Sequence, residues 1–222
     1  MKLKQLYLLV ALTSLFVTTS HAQRYNIQNG IGIYGGLTQF DLKTDNFTTQ
    51  SNNGFLGGMA ATVDLPHKFY NLSYNIQLSE NKFDVAATPA IGPSEFVEYK
   101  LFMAQAALVM HVKLAGKYLT ADLGPMIQYN GNMQLVDESQ ESYIIDGYTA
   151  LRADDILDIN QFNINGTVGL TAGIDNFKVR AQYIYGFTNT LNKLNKQDLN
   201  VENDNNFKGN ISMLVFSLMV SF

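Results

Sequence analysis

The chain predicts an all-β fold, an eight-stranded antiparallel up-and-down transmembrane β-barrel. Three observations carry that expectation. Eight segments alternate apolar with small or polar residues, the period-two signature of strands with one greasy face. The connections between them alternate long and short, as in barrels whose short turns lie on one side of a membrane and long loops on the other. The chain ends on an aromatic, in ISMLVFSLMVSF (211–222). There Phe222, Val220, Leu218, Phe216 and Leu214 form one apolar face, and the interleaved positions are read as including Ser221, Ser217 and Ser212. A final strand of this kind suits a barrel that closes on its first strand and faces lipid.

The first 22 residues read as a secretory signal. Lys2 and Lys4 are basic, an apolar core follows, and Ser20-His21-Ala22 offers small residues at the cleavage positions. The core, about 12 residues, is too short to span a bilayer as a helix. No Cys follows it, because the chain has none, which also removes disulfides, thiolate metal sites and thiol nucleophiles. Residues 23–222 then form the barrel. No later apolar run reaches the length of a membrane helix. The net charge of −4 argues against nucleic acid as a partner.

The first segment runs from about Gly30 to Leu37, with Ile31, Ile33, Gly35 and Leu37 on one face. The second uses Phe55, Met59, Ala61, Val63 and Leu65. The third sets Leu72, Tyr74, Ile76 and Leu78 against Ser73, Asn75, Gln77 and Ser79. The fourth runs from Phe102 to Leu114 and has weaker contrast, since Leu101, Met103 and Val109 share the face of Gln105 and His111. The fifth spans 119–129, the sixth 162–174, the seventh 177–188, and the eighth is the C-terminal strand. Long outer loops are expected near 43–53, 80–94, 131–160 and 189–206, and short turns near Pro66-His67-Lys68, Ala115-Gly116-Lys117 and Asp175-Asn176. The rival fold is a soluble barrel or sandwich with the apolar face inward. The face rich in Gly, Asn, Thr and Gln fits a crowded interior better than a wet surface.

The opening stretch Gly30-Ile-Gly-Ile-Tyr-Gly-Gly-Leu-Thr-Gln-Phe-Asp-Leu42 resembles the first strand of the small outer-membrane β-barrel proteins of Bacteroidetes, a porin-like group that includes PorT-type proteins. Ala181-Gln-Tyr-Ile-Tyr-Gly-Phe-Thr-Asn189 resembles their penultimate strand. Phe222 is similar to the C-terminal assembly signal of outer-membrane proteins. The resemblance implies outer-membrane lipid and the barrel-assembly machinery as partners. It supplies no catalytic residues.

The functional expectations are modest. Only His67 and His111 remain after signal removal, and neither lies in a long loop, so no catalytic pair is expected at the outer rim and the chain is read as non-enzymatic. No catalytic, cofactor or metal residues are assigned. His111, Lys113, Asp122, Lys178 and Arg180 are expected to meet in the lumen as a plug of paired charges, with Asp64 and Asp175 at the rim; an ion or proton path is the alternative. The fifth-to-sixth loop is acidic, with Asp137, Glu138, Glu141, Asp146, Asp154, Asp155 and Asp158, and it carries Tyr143 and Tyr148. It is the expected surface for an extracellular ligand or protein partner, and a weak Ca²⁺ site there is the minor reading. Removing 136–158 is expected to leave the barrel intact. The expected function is a non-catalytic envelope-structural or surface-binding barrel; the alternative is a narrow channel or a component of a secretion or transport apparatus.

Overall fold

The computed structural model describes residues 28–174, 176–199, 201 and 206–222. The signal segment and Asp175 lie outside them. Ten strands form one antiparallel sheet: β1 (Gln28–Thr44), β2 (Thr49–Asp64), β3 (Tyr70–Thr88), β4 (Glu95–Ala115), β5 (Leu119–Asn130), β6 (Gln134–Leu135), β7 (Ile144–Ile145), β8 (Phe162–Ile174), β9 (Phe177–Gly186) and β10 (Gly209–Ser221). Eight of them close a ring in the order β1-β2-β3-β4-β5-β8-β9-β10, with β10 paired back onto β1. The short β6 and β7 attach to β4 and β3 above the ring.

The pairing register measures the stagger. Stepping across the ring from Asn29 leads through Val63, Leu72, Met110, Leu123, Val168, Tyr183 and Leu214, and returns to β1 at Gln39, ten positions beyond the start. Strands in such a ring tilt by about 35–45° and leave an interior that side chains can fill.

The predicted outward faces are outward. Ile31, Ile33 and Leu37, Phe55 and Met59, Tyr74, Ile76 and Leu78, Leu123 and Ile127, Ile164 and Val168, Val179 and Phe216 are all exposed. Aromatic side chains mark both ends of this band. Phe55, Phe102, Tyr129, Phe162 and Phe187 lie toward the long connections, and Phe69, Tyr118, Phe177 and Phe222 toward the short turns. An apolar band between two aromatic girdles is the surface of a barrel in lipid.

The strands run past this band, and there the alternation inverts. On β3 the outward residues change from Tyr74, Ile76 and Leu78 to Glu80, Lys82 and Asp84, while the inward ones change from Ser73, Asn75, Gln77 and Ser79 to Phe83, Val85 and Ala87. On β4, Glu98 and Lys100 face out over buried Val97, Tyr99 and Leu101. Outside the lipid the wet face must be polar and the lumen can be oily. The loops expected near 43–53 and 80–94 are therefore mostly strand, and the connections are only 45–48 and 89–94. Ser212 is corrected too. It lies on the outward face with Leu214, just past the band, where its hydroxyl meets Tyr183 Oη at 3.0 Å.

The 131–161 connection is a folded cap. Its β6 prolongs the ladder on β4 (Tyr99↔Leu135), and its β7 pairs with the far end of β3 (Ala87↔Ile145). Ile145, Leu151, Ala153, Ile156 and Ile159 are buried with Phe40, Phe83, Tyr99, Phe207 and Met213 in the upper lumen. Tyr99 Oη donates to the Ala153 carbonyl at 2.9 Å. Deleting 136–158 would uncover this apolar lumen, so the expectation that the barrel ignores the deletion does not fit the packing.

Two outcomes follow from this architecture. Val168, halfway along β8 and 57% exposed, should cost about 2–4 kcal/mol as Val168→Arg, against about 0–1 kcal/mol for Ile174→Arg at the strand end. Urea titrations of refolding into lipid vesicles give both values. Leu151→Ala empties a fully buried site and should cost about 2–5 kcal/mol. It should also open the neighbouring Arg152 bond to trypsin, which the intact cap resists.

Candidate functional site

The lumen is layered. Nearest the long connections is the apolar core beneath the cap. Below it lies a belt of amides. Tyr34 Oη donates to Gln77 (3.0 Å), Gln77 to Gln105 (2.5 Å), Gln105 to Gln128 (2.6 Å), and Gln128 to Asn130 (2.5 Å). Asn165 also donates to Gln128 at 2.6 Å. Such a chain crosses five strands and satisfies most of the buried amides, which would otherwise be costly, leaving Asn165 Oδ1 without a partner among the described residues. Room for the Tyr34 ring comes from Gly58, where a Cβ would lie 2.6 Å from the ring carbon Cζ.

The charged layer lies nearest the short turns, and the expected plug of paired charges is only partly paired there: His111 joins Asp122 and Lys113 joins Asp64, while Arg180 and Lys178 have no carboxylate partner among the described residues. His111, on β4, and Asp122, on β5, are register partners, and Nδ1 and Oδ1 are 2.7 Å apart. Asp122 also accepts from Thr120 Oγ1 at 2.7 Å and from Thr171 Oγ1. Arg180 Nε donates to Thr171 Oγ1 at 3.2 Å, and its guanidinium lies over the Tyr34 ring, 5.4 Å from the centroid. Lys113 pairs with Asp64 at 3.1 Å at the rim. Lys178 is on the same inward face as Arg180, two residues away.

A further member was missed. Ser73 Oγ lies 2.7 Å from His111 Nε2, so Ser73, His111 and Asp122 stand in the order of a hydrolase triad. The order alone does not make a nucleophile. Ser73 is 1% exposed, and its backbone is taken up in ladders with Thr62 and Val109, so its own amide is not free to serve an oxyanion hole. The signal was present, since Ser73 and His111 both face inward, but the β3–β4 register that joins them is not readable from composition.

At the other end, the acidic loop residues divide into fasteners and exposed groups. Asp146 accepts from Thr88 Oγ1 at 2.7 Å and from Ser94. Asp155 accepts from the Arg152 amide at 2.8 Å. Asp158 binds Lys193 and, at 3.0 Å, Gln197, which ties the cap to the 187–208 connection. Asp137 takes the Ser139 amide and hydroxyl, and these bonds hold its carboxyl below the usual range. That contribution is present above the unfolded carboxyl value and is lost as pH falls through the lowered one. Burial, with the Asp154 carboxylate nearby, pushes the Tyr99 phenol up. Tyr143 and Tyr148 are half-buried against the core, and Tyr148 stacks on Phe207 at 6.1 Å. Glu138, Glu141 and Asp154 are left exposed. Among the described residues no group of His, Asp and Glu is arranged to hold a metal ion. Phe222 directly follows β10, with its amide donating to the Ile31 carbonyl at 2.8 Å and its side chain exposed.

No protein-family model matches the chain, and no curated protein sequence matches it. Among solved structures it is similar to Ail, the attachment invasion locus protein of Yersinia pestis. The match to Ail in complex with the heparin analogue sucrose octasulfate has a TM-score of 0.47 at 10% identity, over 88% of this chain and 99% of that one. The match to the outer membrane protein Ail in a phospholipid bilayer nanodisc has a TM-score of 0.39 at 12% identity, over 88% of this chain and 100% of that one. Likeness at this level carries no argument, and the barrel stands on its own strand pairings.

Asp122 is the keystone of the charged layer. Asp122→Ala leaves three donors unanswered and removes the carboxylate joined to Arg180 through Thr171, and should cost about 3–5 kcal/mol in urea titrations of the refolded protein.

Proposed function

We propose that the protein is an integral barrel of a bacterial outer membrane, without catalytic activity, acting through its capped end as a surface-binding or envelope-structural element. The observation that carries this reading is the cap. It is a folded structure fastened into a filled lumen, with Glu138, Glu141 and Asp154 outward and its apolar side chains inward. Beside it the β3–β4 hairpin reaches beyond the lipid band and ends in a turn that presents Ile91, 95% exposed. A rigid platform with an apolar tip and acidic flanks suits contact with a partner outside the cell. The filled lumen counts against a conducting channel, and the occluded Ser73 against hydrolysis. The signal at 1–22 would supply export. Phe222 would address the chain to the barrel-assembly machinery, as in the Bacteroidetes barrels it resembles. A link to secretion has no residue that supports it.

The chain has no cysteine, which makes the orientation directly testable. On intact cells, Ile91→Cys should react with a membrane-impermeant maleimide, and Lys68→Cys, in the β2–β3 turn, should react only after lysis. Reaction of both on intact cells, or of Lys68→Cys alone, contradicts the reading. In planar bilayers the purified barrel should show no steady single-channel openings.

A further inference from the structure

At the short-turn end the charged layer opens into a cavity of about 350 Å³, bounded among others by Gly30, Gly32, Thr62, Gly173, Lys178 and Arg180. Its size falls at the lower end of small-ligand sites. The Tyr34 ring and the amide belt lie above it, so a ligand would enter and leave by the end that carries the short turns. We propose that this cavity binds a compact oxyanion, a carboxylate or phosphate group, between Arg180 and Lys178.

Arg180 and Lys178 carry charge that no carboxylate among the described residues meets with a hydrogen bond. Arg180 is 3% exposed, yet its only hydrogen bond among the described residues is the one from Nε to Thr171. Among the described residues its terminal nitrogens have no acceptor, and the residue borders the cavity. A buried guanidinium normally spends its fork on a carboxylate or phosphate. Lys178 also borders the cavity and has no hydrogen bond or ion pair among the described residues. The two cations are neighbours on one inward face, about 7 Å apart along the strand, where like charges repel.

Two carboxylates of this layer, among the described residues, are committed. Asp64 holds Lys113, and Asp122 is sealed under three donors. His111 borders the cavity but is bonded on both nitrogens to Asp122 and Ser73. Phe222 lies at the mouth. Space for the ligand comes from missing side chains. At Gly30 a Cβ would meet only the Phe222 carbonyl oxygen, at 3.7 Å.

The test uses the full barrel in nanodiscs of zwitterionic lipid, titrated calorimetrically at constant ionic strength with inorganic phosphate and, separately, with acetate. Saturable binding of at least one oxyanion is expected, with choline chloride giving none. Phosphate alone would assign the site to phosphate groups, and acetate alone to carboxylates. Lys178→Gln should weaken binding about tenfold or more, the loss of a charge-assisted hydrogen bond. Gly30→Leu, which fills the mouth and leaves every charge in place, should abolish it. Lys68→Gln, an exposed cation at the same end but outside the cavity, should change nothing. All three variants are checked for folding by heat-modifiable migration on gels. Absence of saturable binding in the parent protein, or binding that survives both Lys178→Gln and Gly30→Leu in folded barrels, overturns the proposal. Neither result bears on the surface role at the opposite end.

Discussion

The closure of β1 on β10 is the constraint on which everything else depends. A sheet exposed to lipid cannot leave an edge, because each unpaired amide or carbonyl in hydrocarbon costs several kcal/mol. Thirteen register pairs, from Gly32↔Ser221 to Thr44↔Gly209, remove that edge. Gly36, facing Ser217, lets the two backbones approach, since a Cβ there would lie 2.1 Å from the Phe216 carbonyl oxygen. With the ring closed at eight strands and a stagger of ten, the lumen is too narrow for a continuous water column and is filled by inward side chains over its length above the short-turn cavity. The amide belt, the charged layer and the oily upper core are three solutions to that filling problem at three depths.

The depth at which one solution gives way to the next is set by what lies outside. Where lipid surrounds the ring, apolar residues are spent outward and the lumen is left polar. Past the aromatic girdle the surroundings are water, so Glu80, Lys82, Asp84 and Glu98 take the outside and Phe83, Val85, Val97 and Tyr99 the inside. That exchange creates an apolar cup at the barrel mouth, and the cap exists because the cup needs a lid. The Lys82–Glu98 ion pair at 2.8 Å and the Asn52 bond to Glu98 at 2.9 Å then stitch the wet faces of β2, β3 and β4 together.

This exchange also explains what was legible in the sequence. The eight strands, their outward faces and the inward cluster of His111, Lys113, Asp122, Lys178 and Arg180 follow from a period of two and a count of turns. The outer halves of β1 to β4 were hidden. Around Glu80 the apolar residues move to the other parity, and the pattern reads as broken when the strand in fact continues. The cap was half legible. Its acidic residues and its apolar ones were both visible, but only the register of β6 and β7 shows that Asp146 and Asp158 are fasteners and that Ile145 and Leu151 point into the barrel. Ser73 beside His111 was hidden for the same reason, because cross-strand pairs depend on register.

The central claim is a closed ring with this seam, and disulfide trapping in a cysteine-free chain tests it most directly. Leu37 and Phe216 are outward register partners on β1 and β10, with α-carbons at the separation a disulfide bridges. In membranes treated with a mild oxidant, the Leu37→Cys/Phe216→Cys double variant should cross-link to near completion. Leu37→Cys/Leu218→Cys, two residues out of register, should remain largely reduced. Efficient cross-linking of the second pair, or failure of the first in folded protein, would contradict the ring and the stagger derived from it.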